Sequence, residues 1–209
     1  RHSRRQAAAD RDRRRRPLRA APTASLPHSP KIAPPKGRYQ AVVIGSSTGG
    51  PEALARLLPA LTRYSTVPVL IVQHLPAGMT AYFASSLAKK CDYRVIEATD
   101  GDVVAPRTAY VAPGGRHLLV RRQQGHVVTA LTDQPPENSC RPSVDVLFRS
   151  AAVAYERALV AVVLTGMGND GAGGLGALKR SGAYVIAQDE ATSVVWGMPG
   201  AVARANLAD

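Results

Sequence analysis

Along this chain, short apolar runs alternate with longer stretches in which apolar residues recur every three or four positions. Ala41–Ile44, Pro68–Val72 and Leu159–Leu164 are rich in β-branched residues, and each is closed by glycine or a polar residue. That pattern predicts strands buried on both faces of a parallel sheet. Between them, Pro51–Arg63 carries Leu54, Leu57, Leu58 and Leu61 at helical spacing, and Pro51 suits a first turn. Met79–Lys90 predicts a second helix with Met79, Tyr82, Phe83 and Leu87 on one stripe. Tyr93–Ala98 and Thr108–Ala112 read as strands. His117–Arg122 and His126–Leu131, joined by Gln123-Gln124-Gly125, read as an antiparallel hairpin. Ser143 is placed to cap a helix carrying Val144, Leu147, Phe148 and Ala151. A small-residue helix over Gly171–Arg180, a strand over Ala183–Gln188 and a helix beginning in Gly197–Ala205 complete the pattern. The order βαβ with one hairpin predicts an α/β fold of three αβα layers, its sheet mostly parallel.

Charge divides the chain in two. Residues 1–38 hold twelve Lys/Arg against two Asp, whereas residues 39–209 hold fifteen against thirteen Asp/Glu. The net charge of +12 therefore belongs mainly to the first segment. That segment is Arg-dense to Arg16 and then carries six prolines between Pro17 and Pro35, a composition of an extended, unpacked arm or linker. It has neither interleaved aromatics nor helical amphipathicity, so a solvated linker is preferred to a specific nucleic-acid contact. Residues 39–209 form the expected folded domain. No apolar run reaches the length of a membrane span, which argues against membrane insertion. Cys91 and Cys140 alone cannot build a disulfide framework, which points to a reducing, cytoplasmic setting.

The predicted strand ends carry the chemistry. Gly45-Ser46-Ser47-Thr48-Gly49 follows the first strand and spells G-x-S-x-G, a turn that presents a serine hydroxyl ahead of a helix N-terminus. By itself it equally fits a turn that cradles phosphate. Of five histidines, only His74 ends a predicted buried parallel strand. Asp170 lies in the glycine-rich loop after Leu159–Thr165, where it could orient an imidazole or cap the next helix. The order Ser…His…Asp differs from the α/β-hydrolase order Ser…Asp/Glu…His. No His-x-x-x-His, paired Cys motif or acidic cluster suggests a metal, and no cofactor motif is present.

These residues lie in longer motifs. IGSSTGGPEAL (44–54), VQHLPAGMTAYFASSLA (72–88), VAPGGRHLLV (111–120), RPSVDVLFRSAA (141–152), LTGMGNDGAGGL (164–175) and QDEATSVVWGMP (188–199) resemble the chemotaxis receptor methylesterase family, CheB. The resemblance runs from about residue 39 to the C-terminus. It implies a protein-glutamate methylesterase that also deamidates glutamines on the cytoplasmic helices of methylated chemoreceptors. It places the catalytic serine, histidine and aspartate at Ser47, His74 and Asp170. The oxyanion loop falls at Met167, with Thr48 beside the nucleophile. Arg141, Pro142, Ser143 and Asp145 match a family segment to which no catalytic task is derived. The family usually carries a receiver domain upstream, so one is expected in cis unless the chain is a receiver-free relative. The family also continues past Asp209 by roughly a strand and a helix, so the catalytic domain is expected to lack its C-terminal end. A rival reading keeps the fold as a non-catalytic receptor-binding or regulatory module.

Overall fold

The computed structural model describes residues 39–155 and 158–209. The arm expected over residues 1–38 lies outside the described residues. In chain order the elements are β1 (Ala41–Ser46), α1 (Gly50–Tyr64), β2 (Val69–Gln73), α2 (Met79–Ala88), β3 (Arg94–Glu97) and β4 (Thr108–Val111). There follow β5 (His117–Gln123), β6 (His126–Thr132), α3 (Val144–Tyr155), β7 (Leu159–Val163), α4 (Ala172–Arg180), β8 (Tyr184–Ala187) and α5 (Met198–Arg204).

Six strands form one sheet in the order β3-β4-β2-β1-β7-β8, and every pairing in it is parallel. The antiparallel hairpin β5–β6 stands apart as a two-stranded sheet. Chain order runs outward from β1 in one direction through β2, and from β7 in the other through β8. The carboxyl ends of β1 and β7 therefore flank the point where an open α/β sheet forms its crevice.

Strand parity sorts the core into two layers. Ala41, Val43, Leu70 and Val72 face α3, α4, α5 and the hairpin strand β5, around Leu147, Phe148, Leu118 and Leu175. Val42, Ile44, Val69 and Ile71 face the opposite way, against Leu54 and Leu58 of α1 and Phe83, Ala84 and Leu87 of α2. Side chains alternate between faces along a strand, so each strand feeds both layers. β1, β2 and β4 are buried along their whole length, which explains their unbroken apolar character.

The second helix departs from its predicted stripe. Its inward set is Thr80, Phe83, Ala84 and Leu87, whereas Met79 and Tyr82 are 50% and 74% exposed. A polar residue takes the first inward position because its hydroxyl is bound on both sides. Thr80 Oγ1 donates to Glu97 Oε1 and accepts the Gly114 N–H at 3.0 Å. Ser143 also differs from its predicted capping role, since its hydroxyl donates away from α3.

Phe148 is fully buried at the centre of the layer that carries α3. Replacing it with alanine is expected to cost about 3–5 kcal/mol, read as a lowered midpoint in urea unfolding with an unchanged slope.

Candidate active site

Ser47 and His74 are the residues immediately beyond the paired ends of neighbouring strands. Ser46 and Gln73 are register partners, and the His74 N–H donates to Ser46 O at 3.0 Å. The ladder therefore delivers Ser47 and His74 to the same end of the sheet, from neighbouring strands. His74 continues the parity of Leu70 and Val72 and reaches Asp170 on the α3 side, while the Ser47 Cβ lies against Gly166, which also abuts Met198 of that layer. Gly45 is required there. A Cβ at this position would lie 2.4 Å from Val144 Cγ1, so glycine lets the start of α3 rest directly on β1.

The opposite parity gives Ser46 and Gln73 a positioning task that the sequence reading did not assign. Both are buried beneath the start of α1. The Ser46 hydroxyl donates to Gln73 Oε1 at 2.7 Å, and Gln73 Nε2 donates to Ser47 O at 2.9 Å and His74 O at 3.1 Å. One side-chain amide thus clamps the two carbonyls beyond the ladder, at the point where pairing ends. The available signal was a glutamine closing an otherwise continuous apolar strand. On the other flank, Thr165 O accepts the Ser47 N–H at 3.0 Å and the Thr165 hydroxyl reaches Thr48 O at 2.9 Å.

Asp170 is 2% exposed and receives six donors. His74 Nε2 lies 2.9 Å from Oδ2, with Val144 N at 2.7 Å on the same oxygen. Oδ1 accepts from the Ser143 hydroxyl at 2.8 Å, and from Asp145 N, Gly171 N and Asn138 Nδ2, each at 3.1 Å. The carboxylate therefore sits at the N-terminus of α3, where unpaired N–H groups and the helix dipole favour an anion. Burial pushes its pKa up, but the bonds from His74, Val144, Ser143 and Asp145 outweigh it and hold the group below the usual carboxylate range. The capping alternative for Asp170 is thus met on α3 rather than on the helix that follows it.

An ionised Asp170 only accepts, so the proton on the His74 ring belongs on Nε2 and Nδ1 is left as the acceptor. The sole side-chain neighbour bonded to that nitrogen among the described residues is Cys140, with Sγ at 3.6 Å. Burial, followed by the charge of Asp170, raises the Cys140 thiol pKa, which keeps it a donor to Nδ1. The Ser47 hydroxyl makes no hydrogen bond to another described residue.

A second buried carboxylate lies behind the first. Asp145 Oδ1 accepts the Gly174 N–H at 2.5 Å and Oδ2 accepts from Asn138 Nδ2 at 2.8 Å, so Asn138 bridges Asp145 and Asp170. Burial raises the pKa of Asp145 despite the Gly174 bond, opposite to the shift of Asp170. Asn138, Ser143 and Asp145 thus support Asp170 through its hydrogen bonds and were not derivable as such from spacing. The oxyanion candidates are exposed at the crevice. Thr48 and Met167 lie in the loops after β1 and β7, and their backbone N–H groups make no internal hydrogen bond among the described residues. Met167 is 74% exposed. Gly166 lies under this loop, where a Cβ would meet Met198 Sδ at 2.3 Å and Ser47 Cβ at 2.9 Å. His117, by contrast, is fully buried and structural, with Nδ1 accepting Ser143 N–H and Nε2 near Pro135 O.

The depressed pKa of Asp170 fixes a sign. Its stabilising contribution is complete above the usual carboxylate range and is lost as pH falls through its lower folded value. Asp170→Asn is expected to lose about 3 kcal/mol at neutral pH, with the gap to the parent narrowing in strong acid, measured by urea unfolding across pH.

Comparison with known proteins agrees with this architecture. The family model described as CheB methylesterase matches residues 42–209. A protein-glutamate methylesterase/protein-glutamine glutaminase of Nocardioides sp. is 51% identical over 189 residues, covering 90% of this chain and 51% of that protein. A protein of the same name, from the group 2 operon of Rhodospirillum centenum, is 47% identical over 191 residues, covering 91% and 48%. This chain spans about half the length of these curated relatives. Among solved structures, the Thermotoga maritima CheB methylesterase catalytic domain superposes with a TM-score of 0.80 at 42% identity, covering 83% of this chain and 92% of that one. With the match spanning nearly all the described residues and the fold shared at that identity, the chain belongs to the CheB methylesterase family.

Proposed function

We propose that this chain is the catalytic part of a cytoplasmic protein-glutamate methylesterase, with glutaminase activity toward receptor glutamines, working through Ser47, His74 and Asp170. The observation that carries the reading is the His74 imidazole, held on Nε2 by a buried carboxylate at the end of the strand that pairs with the one leading to Ser47. The names of the relatives support the same substrate chemistry. Methylated chemoreceptor helices are the proposed partners, together with a receiver domain.

In this reading Ser47 Oγ attacks the γ-carbonyl carbon of a glutamate methyl ester and His74 Nδ1 takes the hydroxyl proton. Asp170 keeps the other ring proton in place and stabilises the imidazolium. The backbone N–H groups of Thr48 and Met167 receive the oxyanion, having no hydrogen-bond partner among the described residues. His74 returns the proton to the departing methoxide, releasing methanol. Water, deprotonated by the same nitrogen, then cleaves the acyl-serine to glutamate and regenerates Ser47. A glutamine substrate follows the same route with ammonia as leaving group. All these steps use the chain's own residues.

Ser47→Ala is expected to abolish methanol release from methylated receptor helices and to remove labelling by a fluorophosphonate probe. Labelled serine elsewhere, or undiminished methanol release, refutes the assignment. Gln73→Glu replaces the donating amide by a carboxylate beside two carbonyls. It is expected to lower kcat by about 10²-fold with little change in KM, because the nucleophile and base lose their common clamp. Steady-state kinetics separates that outcome from a loss of substrate binding.

A further inference from the structure

Cys140 takes no part in the serine mechanism, yet its sulfur is bonded to the nitrogen that the mechanism assigns as base. Cys140 and His74 also line one cavity of about 220 Å³, bounded by Leu75, Pro76, Arg141 and Pro142. The cysteine is free and half-buried. The far ring nitrogen is already fixed on Asp170. That is the arrangement of a metal-binding histidine, whose second nitrogen donates to a carboxylate and so presents the first as a lone pair.

The spacing fits one class of cation. With Zn–S near 2.3 Å, Zn–N near 2.0–2.1 Å and a tetrahedral angle, a zinc ion separates sulfur from nitrogen by about 3.6 Å. The observed Sγ–Nδ1 distance is 3.6 Å. A sulfur and an imidazole disfavour magnesium and calcium, which take oxygen donors. Asp170 has a donor atom within 4.8 Å of the other two, but its oxygens are spent on six hydrogen bonds and serve as the outer support.

We propose that His74 Nδ1 and Cys140 Sγ form an inhibitory site for a soft divalent cation of the zinc type. On binding, the thiol releases its proton to solvent, sulfur and nitrogen each donate a lone pair to the ion, and nothing is oxidised or reduced. Water fills the remaining positions. The cation then occupies the lone pair that must take the Ser47 proton, so hydrolysis stops until the ion is removed. The inhibitory consequence rests on the reading of His74 as the base, whereas binding of the ion does not.

The test uses the full chain with zinc chloride and, as a spectroscopic stand-in, cobalt chloride. Cobalt is expected to give a thiolate-to-cobalt charge-transfer band in the parent and in Ser47→Ala, and none in Cys140→Ser or Cys140→Ala. Zinc is expected to inhibit ester hydrolysis. Half-inhibition of each Cys140 variant, relative to its own metal-free rate, should need about 10–100-fold more zinc or beyond. Cys91→Ser should titrate like the parent. Circular dichroism of each variant checks that the fold is retained. Equal zinc sensitivity in the Cys140 variants, or a cobalt complex without the sulfur band, overturns the site. A sulfur band lost with Cys140 in a chain that hydrolyses nothing supports the site and refutes the esterase reading. Full hydrolysis with no band does the reverse.

Discussion

Asp170 is the charge around which this molecule is arranged. A carboxylate that is almost wholly removed from water must be compensated locally, and here six donors converge on it. Two of them are the first amides of α3, which would otherwise be unpaired within the core. One buried anion thus answers the polar demand of a helix end and fixes the imidazole at the end of β2. The seating of α3 and the orientation of the imidazole share the same carboxylate, so neither can be adjusted alone.

The sheet supplies the other half of the constraint. Parallel register places Ser46 opposite Gln73, and the two residues beyond inherit that alignment. Alternation then separates labour between the faces. His74 turns toward α3 and the carboxylate, while Ser46 and Gln73 turn beneath α1, where Gln73 binds the backbone from below. Gly45 completes the arrangement by admitting Val144 against the strand.

Much of this was legible in the sequence because it depends on local pattern. Unbroken apolar runs rich in β-branched residues, at 41–44, 68–72 and 159–164, mark buried strands, and all three lie in the parallel sheet. Ser47, His74 and Asp170 stand out because each follows such a run. The surroundings of Asp170 were not legible, since Asn138, Ser143 and Asp145 reach it only through the seating of α3 on β1. Ser143 read as a cap because spacing reports its position but not the buried anion that competes for its hydroxyl. Met79 and Tyr82 read as core for a similar reason, because a helical stripe cannot register that Thr80 has two polar partners waiting on the sheet side. The nearness of Cys140 to His74, across 66 positions of chain, is likewise a product of tertiary packing.

The glycine at position 45 has a mechanical consequence. With no side chain to hold the helix at a distance, the first turn of α3 bears directly on the strand that delivers the hydroxyl, and the same turn grips the carboxylate. A side chain at position 45 would have to displace either that turn, and with it the carboxylate, or a strand that is paired on both sides.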